Sequence, residues 1–122
     1  MIAEEALQFI HASIKSVWAL ELLLFLRRNR AQVWTVDRLT DELRSSRFVV
    51  AQVMETFETA GLVSKEGEGA FRYRPANSEI DRIIGLVEIE YGQRPTAVVK
   101  AILSAPNDKI QTFADAFKLL KE

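Results

Sequence analysis

Apolar residues recur at three- and four-residue steps along the first part of the chain, the spacing that places side chains on one face of an α-helix. The series comprises Ala3, Leu7, Ile10, Ile14, Val17, Leu20 and Leu24. It predicts one long helix ending near residues 27–29, or two helices with a joint near residues 11–13. Residues 18–26 are apolar almost all round, which predicts burial on more than one side, by the body of the domain, with a second subunit as a further candidate.

The pattern changes to shorter segments after residue 32. Residues 33–34 are predicted to be extended, and residues 35–43 to form a short helix capped by Thr35, since a threonine oxygen can accept from a backbone N–H of the first turn. Ser45 and Ser46 form a break before a second helix over residues 47–60. The inward stripe of this helix is predicted to be Val50, Val53 or Met54, and Phe57.

A β-hairpin is predicted to follow the second helix. Gly61 supplies the left-handed residue at which that helix ends. Residues 63–66 and 70–74 then form two strands around a glycine-rich turn at 67–69. Because side chains alternate along a strand, Phe71 and Tyr73 share one face and Arg72 and Arg74 the other.

Three further helices are predicted after Pro75. The first opens at residues 77–81, with Ser78 and Asp81 spaced as a capping box, and the second covers residues 96–104 after Pro95. The last has an apolar face of Ile110, Phe113, Ala114, Phe117 and Leu120. These faces are too apolar to stand alone in water, so we expect them to fold back on the rest of the chain or, the favoured alternative, to pair with a second copy.

Helix, tight turn, helix and β-hairpin in this order resemble the winged helix-turn-helix of bacterial transcription regulators. Phe57 followed by Ala60-Gly61-Leu62-Val63 matches the apolar residue and the Ala-Gly-Leu-Val segment of that family. The fold class expected is mainly α with a small β-hairpin, as a single domain over residues 1–122. The winged core would span residues 13–75, and the flanking helices at 1–12 and 76–122 would form a homodimer.

The resemblance implies a transcription regulator that binds double-stranded DNA, with the second helix in the major groove and the hairpin, or wing, on the backbone. In that register Arg47 donates to guanine or phosphate and Gln52 bonds adenine, while Arg72 and Arg74 on the wing, with Lys65 on the opposite strand, are placed for backbone or minor-groove contact. The predicted DNA-binding residues are Ser45, Ser46, Arg47, Phe48, Val49, Gln52, Lys65, Arg72 and Arg74.

Charge supports this interpretation only weakly. The formal net charge is −1, and residues 13–75 hold 10 Lys and Arg against 8 Asp and Glu, a net of +2. DNA-binding domains usually carry a clearer basic footprint. The second helix also exposes Phe48, Val49 and Ala51 and carries Glu55 and Glu58, which suits a protein partner. The alternative is therefore a winged-helix protein–protein interaction module without DNA binding; DNA is favoured.

Several classes of site are not expected. The chain has no cysteine and a single histidine, His11, so we predict no disulfide, no metal site and no cofactor. No nucleophile–base pair and no phosphate-binding glycine loop occurs, which predicts that the protein is not an enzyme. Arg27, Arg28 and Arg30 are assigned to a helix C-terminus, where cations are favourable. The longest apolar run, residues 17–26, is short and carries Glu21, so the prediction is a cytoplasmic protein outside the membrane.

Overall fold

The computed structural model describes residues 2–104 and is mainly helical with a small antiparallel sheet. Its elements, in chain order, are α1 (Glu4–Ser13), α2 (Val17–Arg28), β1 (Trp34–Thr35), α3 (Val36–Leu43), α4 (Arg47–Thr59), β2 (Val63–Gly67), β3 (Ala70–Tyr73), α5 (Ser78–Gln93) and α6 (Pro95–Leu103). The predicted fold class is thus confirmed as mainly α with a small β-hairpin. The helix predicted after residue 107 lies outside the described residues.

The first apolar series forms two helices, not one. α1 and α2 are bent by 111° at a joint over residues 14–16. Ile14 is fully buried in this joint, and the Ser16 hydroxyl accepts from the Ala19 backbone N–H at 3.0 Å, which caps α2. Consecutive residues 22–24 are fully buried leucines, so this chain alone covers α2 on more than one side.

α3 and α4 contact each other and are joined by a tight turn at residues 44–46. Arg44 adopts a left-handed conformation with φ 51°. Thr35 caps the start of α3, where its hydroxyl accepts from the Arg38 N–H at 3.1 Å, and Ser46 caps the start of α4. Val50, Met54 and Phe57 are the buried residues of α4, which matches the predicted inward stripe and selects Met54 over Val53.

The sheet contains the predicted hairpin and one strand more. The strand order is β1-β3-β2, all antiparallel, with Trp34 opposite Phe71 and Val63 opposite Tyr73. Gly61 has φ 78°, the left-handed conformation predicted for the end of α4. The extended piece predicted at residues 33–34 is a strand one residue further along, Trp34–Thr35, and it pairs with the edge of β3 that β2 leaves open.

The flanking helices pack on one another within the chain. α1 contacts both α5 and α6, and Ile10, Ile84 and Val98 are fully buried in the common core. The cap of α5 is Asn77, whose side chain accepts from the Ile80 N–H at 2.9 Å; this corrects the predicted capping box, because Asp81 is bound elsewhere. No single helix within residues 2–104 has the length and apolarity needed to cross a membrane; α1 and α2 meet that test only as a bent pair.

Candidate functional site

One face of α4 is exposed along its whole length. Because Val50, Met54 and Phe57 point into the core, the opposite side of a 3.6-residue helix carries the outward positions. These are Phe48, Gln52, Glu55 and Thr59, all exposed. Phe48 is the most exposed of the large apolar side chains on this helix, at 75%, and Val49 is 38% exposed. The N-terminal half of α4 is therefore open to a large partner.

The serines before α4 differ in what they can still bind. The Ser46 hydroxyl accepts from the Val49 N–H at 3.0 Å and so caps the helix. A hydroxyl that accepts in this way retains its own proton to donate, which leaves Ser46 competent to bind an acceptor such as a phosphate oxygen. Ser45 is half-buried, and its backbone N–H donates to the Thr40 carbonyl at 3.2 Å.

Three of the predicted DNA-contacting cations lie beside carboxylates of the same chain. The pairs join Arg47 to Asp37 at 2.7 Å, Lys65 to Glu55 at 3.3 Å and Arg72 to Glu66 at 3.8 Å. Both side chains of the first pair are about 70% exposed. Exposed ion pairs contribute only about 0–1 kcal/mol, so these cations can exchange partners at little cost. In the structure the charges of these three cations are balanced by the carboxylates beside them.

The hairpin distributes its cations over two faces. Lys65 is opposite Phe71, shares its face of the sheet, and places its ammonium 5.9 Å from the Phe71 ring centre. Its contact with Glu55 joins this face to α4. Arg72 is opposite Ser64 and points to the other face. The structure therefore brings Lys65 to the exposed face of α4 and places Arg72 on the far side of the hairpin, whereas Arg74, predicted to lie in the second strand, follows its last residue, Tyr73.

Arg72 extends towards the end of α2 on that far side. Its Nε donates to the Arg30 carbonyl at 3.5 Å. Arg74 is exposed at the end of β3. Glu66 lies near the end of β2, and Glu68 lies in the turn that follows.

A separate group of charges joins α2 and β3 to α5. Arg27 is 3.8 Å from Asp81 and 3.6 Å from Glu88, while Arg30 is 3.6 Å from Asp81. The Tyr73 hydroxyl donates to Asp81 at 2.6 Å. Burial, together with the hydrogen bond and negative charge of Asp81, raises the pKa of Tyr73 above its usual value. This group holds α5 against the core. Arg27 and Arg30, which the sequence analysis assigned to a helix C-terminus, therefore also form ion pairs with α5.

Sequence reasoning missed these pairings because they depend on tertiary structure. The partners of Arg47 and Lys65 are ten residues distant along the chain, and the Arg28–Glu88 pair spans sixty. Only the arrangement of helices reveals them. The outward position of Glu55 and Thr59, in contrast, follows from the same period that predicts the buried stripe.

Within residues 2–104, no three histidine, aspartate or glutamate side chains come together as metal ligands would. Comparisons of the chain with protein-family models, with curated proteins and with solved structures found no match. The function is therefore inferred from the residues of this surface and their contacts.

Proposed function

We propose that the chain is a winged helix-turn-helix transcription regulator that binds double-stranded DNA. In this proposal α3 and α4 are the helix-turn-helix pair, α4 is the recognition helix, and β2 and β3 are the wing. The observation that carries the proposal is the exposed face of α4, which continues onto the hairpin through the Glu55–Lys65 contact at 3.3 Å. A helix and a ribbon that share an exposed surface suit the major groove and the adjoining backbone of one duplex.

The outward residues of α4 then have distinct tasks. Gln52 is exposed near the middle of the face, where its amide can bond adenine bidentately. Phe48 and Val49 can contact thymine methyl groups, since an apolar side chain distinguishes thymine in the major groove. Arg47, at the first residue of α4, can leave Asp37 for a phosphate or a guanine edge.

A homodimer would be formed by the flanking helices. Much of their apolar surface is already buried inside one chain, and Ile89 and Leu103 remain 54% and 76% exposed. We propose that these two side chains contribute to the contact between copies. Light scattering at micromolar concentration is expected to give a dimer, and the double change Ile89→Glu with Leu103→Glu a monomer. A wild-type chain that light scattering shows to be monomeric would contradict the proposed dimer but would leave the proposed DNA binding standing.

A protein-interaction module is the second candidate. Two observations favour it: Phe48 is 75% exposed, and the cations Arg47 and Lys65 are neutralised by their own carboxylates. An exposed aromatic residue on a nearly neutral helix face is a typical anchor for a protein partner. Both candidates are binding functions, and a catalytic role is not part of either.

Selection of duplexes from a random-sequence DNA pool by the purified full chain tests the first candidate. We expect a sequence motif to be enriched, and its affinity to fall steeply between about 50 and about 200 mM salt because phosphate contacts release counterions. For a dimer, the motif should contain two related half-sites about one helical turn apart. No enrichment and no retardation at low salt would overturn the regulator and leave the protein-interaction module.

Two sets of variants separate base contacts from backbone contacts. Gln52→Ala is expected to relax the preference at one base pair by about 1–3 kcal/mol, whereas Gln8→Ala, an exposed glutamine on α1, serves as the control. Arg72→Ala with Arg74→Ala should weaken all duplexes and flatten the salt dependence. Arg82→Ala is the remote control, since Arg82 is an exposed residue of α5 that pairs with Glu5 and Glu79. An equal loss on every sequence from Gln52→Ala would refute its base-reading role.

A further inference from the structure

A small cleft lies on the flank of α4 opposite to the hairpin. Its rim is polar and comes from two elements: Ser13, Lys15 and Ser16 at the joint between α1 and α2, and Gln52 and Thr56 on α4. We call it the joint cleft. Its volume is about 220 Å³.

The joint cleft is continuous with the exposed face of α4. Gln52 and Thr56 line it, and the same two residues, with Glu55 and Thr59, line the shallow depression along the outward side of the helix. A macromolecule seated on that face would therefore reach the cleft. The opposite flank of α4 carries Lys65, so a cationic side chain stands on either side of the helix.

The rim keeps donors free for a ligand. Lys15 is exposed, and its ammonium makes one long hydrogen bond, 3.4 Å to the His11 carbonyl. An ammonium has three donors, so two remain. The Ser16 hydroxyl accepts from Ala19 and keeps its own proton to donate. The joint itself is held by the fully buried Ile14, which fixes the backbone that carries these donors.

The floor of the cleft is apolar, formed by Ala19, Val53 and Phe57. A rim of donors above an apolar floor suits a group with an anionic part and a carbon-rich part. The volume of about 220 Å³ is smaller than the roughly 300–1,000 Å³ of ordinary small-molecule sites. The cleft therefore fits one unit of a larger polymer better than a free effector.

We propose that the joint cleft binds one phosphate of the DNA backbone and its deoxyribose, with Lys15 as the charged contact. The phosphate takes donors from Lys15 and the serine hydroxyls, and the sugar carbons rest on Val53 and Phe57. This inference rests on the proposed DNA-binding function. It adds a backbone contact on the flank of α4 that the hairpin does not reach, so that the recognition helix is held from both sides.

The change Lys15→Gln tests the proposal on a duplex that the wild-type protein selects. Loss of one phosphate contact should lower the magnitude of the slope of log affinity against log salt by about 0.9. The affinity ratio of wild type to variant should then fall about three- to fourfold between about 50 and about 200 mM salt. The loss should be equal on selected and unrelated duplexes, because phosphates carry no sequence information.

Lys100→Gln is the matched control, since Lys100 is an exposed lysine on α6, and it should leave the slope of log affinity against log salt unchanged. Lys15→Arg keeps the positive charge and should retain the wild-type slope. Because Lys15 is exposed, thermal unfolding should be the same for all three variants. Binding by wild type with an unaltered slope in Lys15→Gln would overturn this inference alone. A wild-type chain that binds no duplex at all would overturn the proposed function and this inference together.

Discussion

The hydrogen bond between Tyr73 and Asp81 offers a sharp test of how the hairpin is joined to α5. The hydroxyl donates to the carboxylate at 2.6 Å. Tyr73 is 5% exposed, and its ring lies under the Arg30 guanidinium at 5.2 Å. Tyr73→Phe deletes the hydroxyl and keeps the ring, its burial and its contact with the arginine. The change therefore isolates one interaction between the sheet and the flanking helix.

The expected magnitude follows from the surroundings of the carboxylate. Hydrogen bonds to charged groups contribute about 1.5–3 kcal/mol. The Asp81 side chain is 31% exposed and has Arg27 and Arg30 within 4 Å, so water and the two arginines can partly replace the lost donor. We therefore expect Tyr73→Phe to lower the free energy of unfolding by a value at the lower end, about 1.5 kcal/mol.

A double-mutant cycle with Asp81→Ala, which removes the acceptor, measures the pair directly. Urea denaturation of the wild type, the two single variants and the double variant gives the coupling energy, which removes the ion-pair losses that Asp81→Ala causes by itself. We expect a coupling of about 1 kcal/mol or more. Tyr91→Phe is the control, because its hydroxyl bonds the exposed Glu21 at 2.5 Å and should cost only about 0.5 kcal/mol. Additivity within about 0.3 kcal/mol would refute the Tyr73–Asp81 contact.

Three more outcomes are expected from denaturation experiments. The pKa of Tyr73 is raised in the folded state, so at a pH of about 10 the Tyr73 hydroxyl of the unfolded chain loses its proton while that of the folded chain keeps it. The free energy of unfolding should therefore fall as the pH rises above about 10, and Tyr73→Phe should lessen that fall. Phe57→Ala should cost about 3–5 kcal/mol because the ring is buried, whereas Phe48→Ala should change stability by less than about 0.5 kcal/mol. Gly61→Ala should destabilise by about 1 kcal/mol or more at its φ of 78°, and Gly92→Ala, in open space on α5, should stabilise by up to about 1 kcal/mol. Equal effects at the two glycines, or at the two phenylalanines, would contradict the assigned conformation and burial.

Local patterns predicted the elements of this fold well. The 3.6-residue period located the buried stripe at Val50 and Phe57, and the alternation of residues 71–74 located the second strand of the hairpin. Two-residue strands have no period, so the pairing of Trp34 with Phe71 required the structure. Neighbouring polar residues also compete for a helix cap, which is why Asn77 and not Ser78 caps α5.

The position of the candidate site was predictable from the sequence, but the pairing of its charged side chains was not. The period places Phe48 and Gln52 outward, as the structure shows. The neutralising partners of the cations could not be found, because Arg47 and Asp37 meet across the turn between two helices. The opposite orientation of Lys65 and Arg72 depends on the register of the hairpin, in which Lys65 is opposite Phe71.

Hydrogen–deuterium exchange of the full chain, with and without the duplex it selects, tests the central claim most directly. If α4 is a recognition helix and the hairpin a wing, DNA should slow exchange in residues 45–52 and 63–74 and leave α5 unchanged. Protection confined to α5 and α6, or none at a DNA concentration that gives full retardation, would contradict a recognition role for α4.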